Sequence, residues 1–375
     1  MKTEGRARRL FAGGNTPGGF HSFYDQIAFP QARRLFILKG GPGTGKSSLI
    51  RWIAQELLQR GYDLELHHCS ADPQSLDGLW VPALGVAVVD GTAPHVIDPQ
   101  HPGAVDEIVH LGEYWDEPGL TRQQEAIRWL SAEYRFRYAR AYDALAAARR
   151  FHDEWEAYHT RALRTQPLTD LAADWVGALV PRRTGQPGRV RHLFASAITG
   201  DGPQHHLENL FDPLSRRYIL AGPPGTGKAT VVEKVVRAAA ERGYTVEAFH
   251  CPLDPTRIEH AILRELGIGL ISSAWPHTYA PRPGDVLVET GAYLDPAVLN
   301  RYEPEIREAR AAFRSAFDRA VRILRGARAL HDELERCYVP HMDFARVEER
   351  GQQLLERILA LTGGGGEKAD AANGP

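Results

Sequence analysis

The sequence predicts an α/β protein made of two tandem domains, each a parallel sheet flanked by helices and each carrying a long helical excursion. Three observations predict it. The chain repeats itself in register over most of its length. Each copy opens on a short apolar run, a Gly-rich turn and an amphipathic stretch. Further short apolar runs then alternate with helical periodicity, the pattern of a parallel sheet.

The repeat comes first, because it sets the domain count. RRLFILKGGPGTGK, ending at Lys46, returns as RRYILAGPPGTGK, ending at Lys228, 182 positions later. The same offset carries RGY at 60–62 onto 242–244, His68-Cys69 onto His250-Cys251, and Pro94-His95 onto Pro276-His277. After a small deletion Gly112 and Tyr114 return as Gly291 and Tyr293, and His152-Asp153-Glu154 as His331-Asp332-Glu333. We place the boundary in the Pro-, Gly- and Arg-rich stretch PRRTGQPG, giving domains at 1–183 and 184–362. The Gly-rich end, 363–375, has too little apolar content to fold and is expected to be disordered.

Within the first copy, Leu35 to Leu38 reads as a strand, 47–60 as an amphipathic helix, Tyr62 to His67 as a second strand and Gly85 to Val89 as a buried third. Tyr218 to Ala221 and 229–242 repeat the opening unit. From 121 to 164 apolar residues recur at helical spacing through Leu130, Tyr138, Leu145 and Trp155, with a counterpart at 304–338 through Phe313, Phe317 and Leu324. Each stretch is expected to form an appendage of its own sheet, a hairpin being one option.

Composition narrows the function. The 375 residues are 43% apolar and 25% charged with a formal charge of −2, so nothing in the bulk charge calls for nucleic acid or an anionic membrane. Three cysteines exclude a disulfide scaffold, and neither a membrane-spanning run nor a secretory signal is present, so a cytoplasmic protein is expected. Lysine occurs only at positions 2, 39, 46, 228, 234 and 368 in a chain that otherwise uses arginine. Lysine at a turn is therefore informative, since a slim stem fits where a planar fork does not.

Gly40-x-x-x-x-Gly45-Lys46-Ser47 has the spacing of a phosphate-binding loop between strand and helix. Glycines let backbone amides turn toward phosphate oxygens, the helix N-terminus adds its positive end, Lys46 reaches the β- and γ-phosphates, and the Ser47 hydroxyl suits Mg²⁺. The candidate binding residues are Gly40, Gly41, Gly43, Thr44, Gly45, Lys46, Ser47 and Ser48 here, and Gly222, Gly225, Thr226, Gly227, Lys228 and Thr230 in the second loop. Copy 1 resembles a P-loop NTPase. Through GGFHSFYD, HCSADPQSLDG, VVDGTAPHVIDPQHPGAVDEI, RHLFASAIT, HLENL and AGPPGTGK, the whole layout resembles a bacterial family of two-copy P-loop ATP-binding proteins. The resemblance implies ATP as ligand, with hydrolysis or phosphoryl transfer, and two tandem P-loop NTPase domains.

The two loops differ in chemistry. Ala229 stands where a hydroxyl would hold Mg²⁺, followed by Thr230. The strand GVAVV ends in Asp90, a carboxylate placed for the metal, while its counterpart GIGLI ends in Ser272. Turnover is therefore expected at Lys46, Ser47 and Asp90, with the second site binding nucleotide statically or not at all, unless Thr230 and another carboxylate substitute. The residues after Asp90 are Gly91-Thr92-Ala93-Pro94-His95, without the Glu that polarises water in AAA+ motors, which leans toward kinase-like P-loop proteins.

Asp72 is a candidate base for an acceptor hydroxyl, or merely the start of an Asp-Pro turn; Asp77 is the weaker alternative. His68-Cys69 read as buried side chains rather than metal ligands, and His95 as a possible sensor of the terminal phosphate. Arg135, Arg137 and Arg140 read as a solvated helix face or as a phosphoryl-binding lid. The His-Asp-Glu triplets at 152 and 331, Trp80 and Trp115 read as packing groups. Three functions stay open: a Mg²⁺-dependent ATPase, a small-molecule or nucleotide kinase, and a non-catalytic nucleotide sensor. A protein partner or homo-oligomer is also left open.

Overall fold

The computed structural model describes residues 4–182 and 185–361. The boundary between 183 and 184 and the end at 363–375 lie outside them.

The first half runs β1 (Ala7–Leu10), β2 (Gly13–Thr16), β3 (Gly19–Ser22), β4 (Arg34–Lys39), α1 (Lys46–Gln59), β5 (Leu64–His68), β6 (Leu76–Val81), β7 (Val86–Asp90), β8 (Asp106–His110), α2 (Glu117–Arg122), α3 (Gln124–Ala162) and α4 (Thr165–Leu179). The second runs β9 (Arg189–Leu193), β10 (Ser196–Thr199), β11 (Gly202–His205), α5 (Leu207–Phe211), β12 (Arg216–Ala221), α6 (Lys228–Glu241), β13 (Thr245–His250), β14 (Ile258–Leu263), β15 (Ile268–Ser273) and β16 (Val286–Glu289). It closes with α7 (Pro296–Arg301), α8 (Glu303–Tyr338) and α9 (Phe344–Ala360).

Each half builds a six-stranded sheet, ordered β1-β5-β6-β7-β4-β8 and β9-β13-β14-β15-β12-β16, so strand order is the same in both. Neither sheet is wholly parallel. β6 and β14 each run antiparallel to both neighbours, while every other pair in the two sheets is parallel, so the expected parallel sheets are present with one reversed strand each. β6 is buried along its whole length and returns to β7 through a turn closed by Gly85 at φ 64°. Its opening Leu-Asp-Gly interrupts the apolar pattern that marks a core strand. The loop strand β4 pairs directly with β7, which ends in Asp90.

The helical excursions depart further from expectation. Each is one continuous helix, not a hairpin, and neither is an appendage of its own sheet. α3 and α8 pack on each other antiparallel. Leu130 meets Leu330 and Leu334 at one end, and Ala141, Leu145 and Ala148 meet Phe313, Phe317 and Leu324 further along. An apolar stripe demands a partner, and here the partner is the other half's stripe. The following helices are exchanged as well. α4 lays Leu168, Ala172, Trp175 and Leu179 on Val231, Val232 and Val235 of α6. α9 lays Val347, Leu354, Leu355 and Ile358 on Leu49, Ile50 and Ile53 of α1. Each half thus finishes the other's core.

A third junction joins the outer strands. Phe11 and Phe194 exchange two backbone hydrogen bonds of 3.0 Å, and Arg8, Arg191, Arg264, Glu65 and Glu247 form a charge cluster beside them. Among the described residues no helix is long and apolar enough to cross a membrane.

Candidate nucleotide sites

In the first loop the chain leaves β4, turns through Gly43 and Gly45 at φ 68° and 86°, and enters α1. Only glycine adopts these angles without strain. Thr44 Oγ1 donates to the Gly41 carbonyl at 2.8 Å, and Lys46 Nζ donates to the Gly40 and Gly41 carbonyls at 2.9 and 2.8 Å. The ammonium is thus folded onto its own loop. Ser47 Oγ accepts the Leu76 amide of β6 at 2.9 Å, while Ser48 is exposed.

Asp90 Oδ2 lies 3.7 Å from Lys46 Nζ and 3.8 Å from His95 Nε2, and its Oδ1 accepts the Thr92 amide at 2.8 Å. Asp77, at the start of β6, joins them: ligand atoms of Asp77, Asp90 and His95 lie within 4.8 Å of one another. Tyr24 donates its hydroxyl to Asp77 at 2.6 Å and stacks on His95 at 4.7 Å. Burial pushes the Asp77 carboxyl up. Burial also opposes charge on Asp90, but His95 and the Lys46 ammonium outweigh it and hold that carboxyl below its ordinary value. His95 is raised because Asp77 and Asp90 overcome its desolvation. The oxygen donors of Ser47 and Asp90 are of the kind Mg²⁺ takes.

Asp72 is not brought to this cluster. Its Oδ1 accepts the Gln74 amide at 3.2 Å, its Oδ2 accepts the Ser75 hydroxyl at 2.7 Å, and Arg328 of α8 pairs with it at 2.7 Å. Asp254 repeats the arrangement, with Arg149 of α3 at 2.8 Å. Arg137 and Arg140 pair with Glu133 and Asp143 of their own helix, and Arg135 donates to the Ser131 carbonyl. His68 Nδ1 faces the Pro73 carbonyl at 2.8 Å, and no metal-sized cluster among the described residues includes it or Cys69. Trp80 is core. Asp153 of the first His-Asp-Glu triplet is paired with Arg149, and Glu156, two residues beyond the triplet, with Arg257.

The second loop repeats the first. Lys228 Nζ donates to the Gly222 and Pro223 carbonyls at 2.7 and 2.6 Å, and burial draws it down from its ordinary value to about 8. Thr226 donates to Pro223 and meets Thr290 at 2.7 Å. Ala229 follows Lys228, and Thr230 is exposed. Ser272 takes the Asp90 position, and its amide donates to His260. The Asp77 position is Glu259, whose Oε2 is buried without a hydrogen-bond partner. Extending the repeat offset to Asp77 reveals this pairing of carboxylates, a signal the sequence holds.

What the sequence does not signal is that each loop is covered by the opposite half. The end of α3 closes on the second loop: His159 Nδ1 donates to Pro224 at 2.8 Å, and Thr160 lies 3.4 Å from the Gly225 carbonyl. The end of α8 closes on the first, where a Cβ on Gly41 would stand 3.1 Å from the Tyr338 ring and one on Gly43 3.0 Å from Val339. An alanine at Gly225, φ 77°, would put its Cβ 2.3 Å from the Glu156 carbonyl oxygen, backbone that cannot step aside alone. At Gly202, φ 97°, nothing lies within 4 Å. Both substitutions incur left-handed strain of about 1–2 kcal/mol, but only Gly225→Ala also forces α3 off its seat. Gly225→Ala is therefore expected to lower the thermal midpoint well beyond Gly202→Ala.

A cavity of about 430 Å³ lies between the second loop, α3 and α8. Residues 217–257, from β12 through α6 and β13 to the residue before β14, match a protein-family model described as NTPase. The match supports a nucleotide-binding P-loop NTPase. No curated protein and no solved structure matches the chain.

Proposed function

We propose that the protein is a Mg²⁺-dependent nucleoside triphosphatase, turning over ATP at the loop that carries Lys46, while the second loop holds nucleotide without processing it. The observation that carries this reading is the 3.7 Å approach of Asp90 to Lys46, set against Ser272 in the matching place of the second half. The 41–47 amides and the ammonium would bind the β- and γ-phosphates, leaving their present carbonyl partners. Ser47 and Asp90 would hold Mg²⁺, which supplies charge neutralisation between the phosphates. Asp77 and His95 would orient Asp90. ATP over GTP follows from the family resemblance, as does descent of the two halves from one duplicated domain.

Phosphoryl transfer to a small hydroxyl compound is the second reading. It is favoured by the direct pairing of β4 with β7, with no strand inserted between the loop and Asp90, and by the absence of a carboxylate directly after Asp90.

Steady-state phosphate release tests the proposal. Lys46→Ala is expected to lower turnover by about 100-fold or more, and Lys228→Ala to leave it within a few-fold. Equal losses would refute the division of labour. With γ-labelled ATP, label in free phosphate supports hydrolysis and label in an organic acceptor supports transfer.

A further inference from the structure

The second site is less a worn copy of the first than a pocket of different composition. Its floor is the Gly225–Lys228 turn, with Lys228 only 8% exposed. One wall comes from the other half, through Arg149, Glu156 and Thr160 of α3. The opposite wall is aromatic: Trp275 sits 5.7 and 5.6 Å from Phe313 and Phe317 of α8. Two polar groups line the space with no hydrogen-bond partner, Glu259 Oε2 and His277 Nε2. His277 is 6% exposed. Burial holds its imidazole near pKa 3 and raises the Glu259 carboxyl.

Three features argue together about the occupant. A ring of amides and one ammonium attract phosphate, while Arg149 and Arg257, which also line the cavity, are already paired with Asp153, Asp254 and Glu156. The two groups offered to a cation in the first site are replaced here, Ala229 having a methyl for the Ser47 hydroxyl and Ser272 a hydroxyl for the Asp90 carboxylate, which leaves Thr230, Ser272 and Glu259 as lining oxygens. Beyond the loop the pocket offers an apolar wall of edge-to-face rings, with the Arg314 guanidinium 4.2 Å from the Trp275 ring, and unpaired groups suited to ligand hydroxyls, and its volume is that of a small-molecule site.

We propose that this cavity is a metal-independent binding site for a nucleoside mono- or diphosphate, its phosphate on the second loop and its body against Trp275 and the α8 phenylalanines. The inference rests on reading the loops as phosphate cradles, but it needs neither turnover nor Mg²⁺.

Calorimetry of the full chain with ADP in excess EDTA tests it, with inorganic phosphate as the comparison probe. Wild type and Lys46→Ala are expected to bind ADP with affinities within about 3-fold of each other, and Lys228→Ala to lose about 10-fold or more. Trp275→Leu, at a 38% exposed side chain, is expected to weaken ADP severalfold while leaving phosphate unchanged, and it guards against misfolding at Lys228. ADP binding that vanishes in EDTA, or that survives Lys228→Ala, overturns the proposal. Phosphate binding as tightly as ADP overturns the assignment of the aromatic wall. If Mg²⁺-ATP hydrolysis is never observed but ADP still binds in EDTA, the proposed activity fails while this site stands.

Discussion

Replacing Arg191 with alanine is expected to cost about 3–5 kcal/mol of folding stability, the penalty for leaving buried charge unpaired. Arg191 is 1% exposed. Its Nη1 donates to Glu65 at 2.7 Å and lies 3.3 Å from Glu247, while Nε and Nη2 donate to the Gln26 and Ile27 carbonyls, both at 2.8 Å. Arg8 spans the same two carboxylates at 2.7 and 2.6 Å. The substitution would strand both carbonyls and weaken the charge balance where the halves meet. Burial works to raise Glu65 and Glu247, but the surrounding guanidiniums outweigh it and hold both below their ordinary 4.5. A lowered carboxyl stabilises fully above its unfolded value and loses that contribution as pH falls through the folded one. Urea unfolding should therefore show wild type weakening below about pH 4.5, and Arg191→Ala already weakened at pH 7. A loss under 1 kcal/mol at pH 7 would mean Arg8 and Arg264 suffice.

The second large effect is expected from ending the chain at Asp343, which removes α9 from the second half yet should undo the first. Val347, Leu354, Leu355 and Ile358 are at most 6% exposed and belong to the core of α1 and its sheet. Each such side chain contributes about 1.5–3 kcal/mol, so the loss rivals the 5–15 kcal/mol that typically holds a domain together. Arg350 and Arg357 go too, leaving Glu107, whose carboxyl Arg357 chiefly holds down at about 2, to Arg34 alone. Amide exchange should show protection falling in α1 and β4–β7 while β12–β15 keep theirs. Loss confined to the second half would contradict the exchange of helices.

The unit around each loop was legible because it is local. A strand, a glycine turn and an amphipathic helix are contiguous, and the structure gives β4 as Arg34–Lys39 where the apolar run alone marks Leu35 to Leu38. β6 escaped because Asp77-Gly78 breaks its apolar run; Asp77, at that break, then turns out to sit with Asp90. The destination of the long helices was not legible for a different reason. The stripe through Leu130 and Leu145 states that a partner is needed, and sequence periodicity carries nothing about which one. The coverings of the two loops, by Tyr338 and by His159, follow from that destination and were hidden with it.

The trading of α4 and α9 also sets an order of events during synthesis. α1 leaves the ribosome early, but the helix that shields Leu49 and Ile53 follows about 285 residues later, roughly 15–60 s at ordinary elongation rates. Through that interval the nascent chain carries an open greasy face that a later segment must reclaim, a natural stopping place for a chaperone.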